Sequence, residues 1–166
     1  MRKRLITSVV LVSTVLVGLV PFATSAGAVN IGNEGCTPGY WKNHVENWEE
    51  ISPDTTLGNL GTRVPGWTFG DDNAEYADWT VLEALNAQGG SGISGATEIL
   101  IRAGATAWLN AAHEGVGYPY RRYSNGLDGR RPLIVLLNAA LSSGSRSRML
   151  ALATTLDQAN NLGCPL

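Results

Sequence analysis

The chain has 166 residues, with 12 Lys and Arg against 14 Asp and Glu, a formal charge of −2, and only two cysteines. This length supports one hydrophobic core and is short for two. The acidic balance argues against nucleic acid or an anionic membrane surface as the main partner, because both require a basic face.

Residues 1–28 read as a secretory signal peptide. Arg2, Lys3 and Arg4 form a positive start, and Leu5 to Val20 is an uncharged apolar run. Pro21 breaks that run, and Ala26-Gly27-Ala28 supplies a small-residue cleavage site after Ala28. A retained membrane anchor competes with this reading, but the run is shorter than the roughly 20 residues of a spanning helix. Cleavage leaves residues 29–166 as a single extracellular or cell-surface domain. Three basic residues and no acidic ones leave with the leader, so nine basic residues face 14 acidic ones and the remainder carries −5. No second apolar stretch reaches membrane length, so no membrane association is expected after signal removal.

Thr37 is a good helix N-cap, with Pro38 at the first helical position, where its missing N–H costs nothing. From Pro38 to Trp48, helical spacing places Tyr40, Trp41, Val45 and Trp48 near one face. Glu49 to Ala77 carries Pro53, Gly58, Gly61, Pro65, Gly66 and Gly70 and reads as loop, with Leu57, Leu60, Val64, Trp67 and Phe69 tucked under the core. A structureless stretch of this length is uncommon inside a domain, so a short hidden element is expected. Thr80-Val81-Leu82-Glu83 is a capping box that opens a short helix to about Gln88.

The strongest helical pattern runs from Ala96 to His113 and stops at Gly115. Ile99, Leu100, Ala103, Ala107 and Trp108 recur at its period, and Ala105 and Ala111 admit a close neighbour. Gly117 to Gly129 is a loop rich in Tyr and Arg. Pro132 opens a helix through Leu141, where the apolar run would also suit a buried strand but for its proline start. Ser145 caps a last helix from Arg146 to about Asn161, with Met149, Leu152, Ala153, Leu156 and Ala159 on its inner stripe. The fold class that follows is mostly α: a small single-domain helical bundle with long irregular loops.

In an exported chain, Cys36 and Cys164 are expected to form a disulfide, stapling the start of the first helix to the end of the last. Intermolecular pairing is one alternative. Another is a zinc site built from Cys36, His44, His113 and Cys164, which has suitable ligand types but lacks the close-paired spacing of such sites. Neither a metal nor a cofactor is expected. Tyr40, Trp41, Lys42, Asn43 and His44 form the densest cluster of unusual residues and the main binding candidate. Aromatic faces stack on sugar rings, and Asn43 and His44 supply directional hydrogen bonds. The competing reading makes Trp41 and Trp48 core aromatics.

His113 joins the binding candidates at the end of the central helix. As a general base it would need an orienting carboxylate, although the helix dipole alone favours a histidine there. No nucleophile elbow or zinc-protease helix accompanies it, and no catalytic residue is assigned. Asp71, Asn73 and Glu75, with Asp78 nearby, have the alternating spacing of a calcium loop. Tyr76 and Leu82 occupy the positions where an EF-hand needs Gly and Glu, so a solvated acidic turn is expected. The basic, aromatic stretch Tyr118-Pro119-Tyr120-Arg121-Arg122-Tyr123, with Arg130 and Arg131, suits an anion or a pairing with that acidic turn.

The string Gly35-Cys36-Thr37-Pro38-Gly39-Tyr40-Trp41-Lys42-Asn43-His44 resembles the signature of a group of secreted, mostly bacterial proteins, in which it follows a signal peptide. The likeness extends to Leu109-Asn110-Ala111-Ala112-His113 with Tyr118-Pro119, and to Leu156 through Asn161 before Gly163-Cys164-Pro165-Leu166. The segment Tyr120 to Arg131 departs from it in being more basic. The resemblance implies export and supports the Cys36–Cys164 pairing; the group has no established activity, and no catalytic residue carries across. Together these readings point to a non-enzymatic binding or structural module with an extracellular glycan, cell-wall or protein ligand. The alternative is a secreted hydrolase using His113 or His44 with a carboxylate.

Overall fold

A computed structural model describes residues 33–60, 66–121 and 130–166. The leader, Val64 and residues 122–129 of the basic loop lie outside this range.

The first helix, α1 (Pro38–Asn43), starts as its sequence dictates: Thr37 Oγ1 accepts from the Tyr40 N–H at 3.2 Å, and Pro38 sits in the first turn. It is shorter than its periodicity suggests. The Trp48 indole donates to the Trp41 carbonyl at 3.0 Å, taking the acceptor that a continuing helix would offer to Val45. The chain leaves helical geometry at His44 (φ −132°, ψ 57°) and resumes as a 3₁₀ turn over Val45–Asn47.

The expected loop contains short elements, the 3₁₀ segments Leu57–Asn59 and Asp71–Asp78, the latter kinked at Asn73. Leu57, Leu60 and Trp67 are buried, and Phe69 packs against the core. Helix α2 (Val81–Asn86) carries both bonds of the capping box: Thr80 N donates to Glu83 Oε2 at 2.8 Å, and Glu83 N donates to Thr80 Oγ1 at 3.1 Å.

Helix α3 (Gly92–Ala112) begins four residues before the apolar pattern and is buried along most of its length. It packs most extensively on α5 (Arg146–Asn160) and next on α2. Helix α4 (Arg130–Leu141) lies against both α3 and α5. At the α3–α4 contact a Cβ on Gly104 would come within 2.8 Å of Leu137 Cδ2 and 2.9 Å of the Trp67 ring, so the small residue sets the approach. Ser145 holds the N-cap position of α5, but its hydroxyl pairs with Ser147 Oγ at 3.1 Å instead of capping the backbone. Among the described residues the fold is mostly helical, and β-pairing is limited to isolated bridges, Gly35 with Gly163 and Thr56 with Thr80.

The two cysteines are bonded to each other across a sequence separation of 128. Cys36 is fully buried and Cys164 is exposed. Gly35 N donates to Gly163 O at 3.0 Å beside the bond, and a Cβ on Gly35 would stand 2.1 Å from the Ala159 carbonyl oxygen. Only glycine admits the segment before α1 this close to the end of α5.

Beneath the disulfide lies a closed polar network. Asn110 Oδ1 accepts from Cys36 N at 2.7 Å and from Trp41 Nε1 at 3.1 Å, while its Nδ2 donates to Cys36 O at 2.8 Å and to Asn160 Oδ1 at 3.1 Å. Asn160 Oδ1 also accepts the Tyr118 hydroxyl at 2.8 Å, and Asn160 Nδ2 donates to Ala103 O at 3.0 Å. The side-chain oxygen and nitrogen of both buried amides are each engaged in at least one hydrogen bond, the condition under which a buried polar cluster specifies a core.

Burial, with a smaller contribution from Tyr120, pushes the Tyr118 phenol far above the ordinary 10.0, and burial likewise raises Tyr76. A phenol raised on folding stabilises the native state fully below the ordinary value, and that contribution is lost as pH rises above it toward the folded value. Above about pH 10 stability should therefore fall by up to about 1.4 kcal/mol per pH unit through Tyr118, with Tyr76 acting in the same direction. Tyrosinate absorbance should show Tyr118 ionising only as the protein unfolds, and Tyr118→Phe should flatten the alkaline limb by one proton.

Candidate functional site

The structure divides the Tyr40–His44 segment between the core and the surface. Trp41 is fully buried, its indole bonded to Asn110 and its ring edge-on to Tyr40 at 5.2 Å. It therefore belongs to the packing and does not form an open aromatic face. This corrects the expectation that Trp41 contributes to a ligand platform: in a six-residue helix held at Cys36, position 41 points inward, toward Asn110 on α3.

Tyr40 is half-buried and stacks on His44, with ring centroids 4.5 Å apart and planes 28° from parallel. Its hydroxyl accepts from Asn47 Nδ2 at 2.6 Å, which fixes the ring from its far end. Lys42 and Asn43 are exposed beside this pair, and Asn43 Nδ2 donates back to Gly39 O at 2.8 Å, leaving its carbonyl oxygen outward. His44 Nδ1 lies 3.1 Å from Glu46 Oε1. Glu46 is held below the ordinary carboxyl value, first by its own backbone N–H and then by His44, so this pairing persists into mildly acid solution and is lost as pH falls further. The surface thus presents a fixed imidazole–phenol stack, an ammonium, an amide oxygen and a carboxylate.

His113 lies on the inner side of the same aromatic series, 5.8 Å from Trp41. Its Nδ1 accepts from the Gly115 N–H at 3.0 Å, which places the neutral ring's proton on Nε2, 3.6 Å from Glu49 Oε1. Glu49 Oε2 in turn accepts from the Glu114 N–H at 3.1 Å. Both imidazole nitrogens are therefore engaged: Nδ1 ties down the turn after α3, and Nε2 faces Glu49 across from it. The neighbouring Glu50 has a left-handed φ of 68° and pairs with Arg130, whose guanidinium carbon stands 5.0 Å from the centre of the Trp108 ring. Arg121 reaches the Glu114 carbonyl at 2.6 Å. The two histidines have separate acidic partners, Glu46 and Glu49.

The disulfide removes both cysteines from zinc chemistry. Among the described residues no group of three or more His, Cys, Asp or Glu side chains is placed to hold a metal ion, and no helix is long and apolar enough to cross a membrane. Sequence reasoning missed Asn110, Asn160 and Tyr118 as a connected group. The available signal was the polar Asn110 within the apolar run Leu109–Ala112, although nothing in the sequence names its partners. Comparison with protein-family models, with curated proteins and with solved structures finds no match for this chain.

Proposed function

We propose that the chain is exported and works outside the cell as a non-enzymatic binding or structural module. Its ligand would be a glycan, a cell-wall component or another protein. The observation that carries this reading is the Tyr40–His44 stack, held rigidly at the surface with Lys42 and Asn43 exposed beside it. Preorganised aromatic faces flanked by polar groups favour ligands with both apolar and hydrogen-bonding sides. The export signal and the disulfide support the location.

Because Trp41 is part of the core, the informative variants are His44→Ala and Lys42→Ala. In a screen against cell-wall fragments, glycans and secreted proteins, the wild-type protein should retain a ligand, and His44→Ala should bind it at least about fivefold more weakly, roughly 1 kcal/mol. Its unfolding midpoint should be unchanged. Absence of any retained ligand would overturn the binding role.

The second reading, a secreted hydrolase, draws on the Glu49–His113 pair. It requires His113 to release the Gly115 N–H before its Nδ1 can take a proton. A substrate panel in which Glu49→Gln abolishes turnover would favour it over the binding role.

A further inference from the structure

A second surface feature shares no residue with the Tyr40–His44 face. Between α2 and the start of α3 lies an open cleft of about 260 Å³, lined by Trp79, Glu83, Asn86, Ala87, Gln88 and Glu98. This volume is below the range of drug-sized pockets and suits one monosaccharide or one long side chain.

The hydrogen bonds of the lining residues decide what the cleft offers. Asn86 Nδ2 donates to Leu82 O at 2.8 Å, and Gln88 Nε2 donates to Asn86 O at 2.8 Å, so each amide spends one of its two N–H groups on the main chain and its exposed side chain retains a carbonyl oxygen able to accept. Glu83 is anchored through one oxygen, Oε2, by the N–H and hydroxyl of Thr80. Glu98 is fixed by the Gly89 N–H at 2.9 Å and the Tyr76 hydroxyl at 3.3 Å. The donors to both carboxylates are neutral, and neither pairs with Lys, Arg or His among the described residues. Arg102, one turn beyond Glu98, donates to the Ala87 carbonyl at 2.8 Å. The walls therefore combine two carboxylates and two amide oxygens with an aromatic side, a set that accepts hydrogen bonds and attracts positive charge.

We propose that this cleft binds a ligand through a primary ammonium group, carried by an amino sugar or by a lysine side chain. The ammonium sits between Glu83 and Glu98, donates to the carboxylates and the Asn86 and Gln88 oxygens, and rests its attached carbons on Trp79. Thr80 holds Glu83 below the ordinary carboxyl value, which keeps that wall charged into acid solution.

The test is a nitrogen-15 NMR titration of the disulfide-bonded protein with glucosamine, with lysine amide and, as the uncharged control, with N-acetylglucosamine. Saturable shifts of the Trp79 indole and the Asn86 and Gln88 side-chain amides are expected with at least one amine, and whichever amine binds more tightly identifies the source. Glu83→Gln, which retains the capping box, should weaken binding about tenfold, and Gln88→Glu, on an exposed loop position, should tighten it. The proposal is overturned if neither amine saturates by about 50 mM, or if N-acetylglucosamine binds as well as glucosamine. It is equally overturned if Glu83→Gln, shown to be folded by its spectrum, binds unchanged. These outcomes leave the reading of the Tyr40–His44 face untouched.

Discussion

Replacing Asn110 with leucine should remove about 5 kcal/mol of stability, comparable with the whole net stability of an ordinary domain. Leucine has the same number of side-chain heavy atoms and is bulkier, so no cavity opens, and the loss comes mainly from hydrogen bonding with some strain from overpacking. The substitution strands the Cys36 N–H and carbonyl and the Trp41 indole N–H in a site that water does not reach, and it deprives Asn160 of one of its two donors. Each buried group left without a partner costs about 1–3 kcal/mol. Thr106→Val is the matched control, because the Thr106 hydroxyl bonds only to the Arg102 carbonyl within its own helix and its loss should cost under about 1 kcal/mol. Urea unfolding of both variants would check the contrast, with Tyr118→Phe, which removes one donor from the edge of the network, expected at about 1 kcal/mol. Equal losses for Asn110→Leu and Thr106→Val would mean that the network contributes nothing beyond generic packing.

Local chemistry was legible wherever a signal and its consequence lie within one turn. Thr37 followed by Pro38 and Thr80 followed by Glu83 started helices where expected, and the period of Leu100, Ala103, Ala107 and Trp108 identified the central helix. The failures have a different physical origin. Nothing local shows that the Trp48 indole will claim the Trp41 carbonyl and end α1, or that Ser145 will prefer Ser147 to the backbone. Aromatic spacing is also blind to which side of a short helix faces the core, so Tyr40 and Trp41 read alike in sequence but part company in the fold. The three segments that carried the resemblance, around Cys36, Asn110 and Asn160, meet in one hydrogen-bonded cluster. Much of the Gly35–His44 string is thereby accounted for by architecture: Gly35 by close approach, Cys36 by its bond, Thr37 and Pro38 by capping, and Trp41 by Asn110. What architecture leaves unexplained in the string is mainly the narrower surface of Tyr40, Lys42, Asn43 and His44, on which the proposed binding role rests.

Reducing the disulfide, or replacing both cysteines by alanine, should cost about 5 kcal/mol, the loop-closure entropy expected for a separation of 128 residues. The effect is expected in the unfolded state, because the folded state keeps other ties across the same junction. Asn110 still bonds both main-chain groups of Cys36, and Gly35 still pairs with Gly163. Two signatures follow. The reduced protein should retain its helical spectrum at low temperature, with only the exposed residues after Asn160 exchanging their amides faster. Its denaturant slope should rise, since an unfolded chain freed of a cross-link spanning almost the whole domain exposes more surface. A native-state origin predicts the reverse: an altered spectrum around Trp41 and an unchanged slope. Combining the cysteine replacements with Asn110→Leu then tests whether the covalent and polar clasps act on one junction. If they do, the double loss exceeds the sum of the single ones, because each clasp holds the Cys36 segment in place when the other is gone.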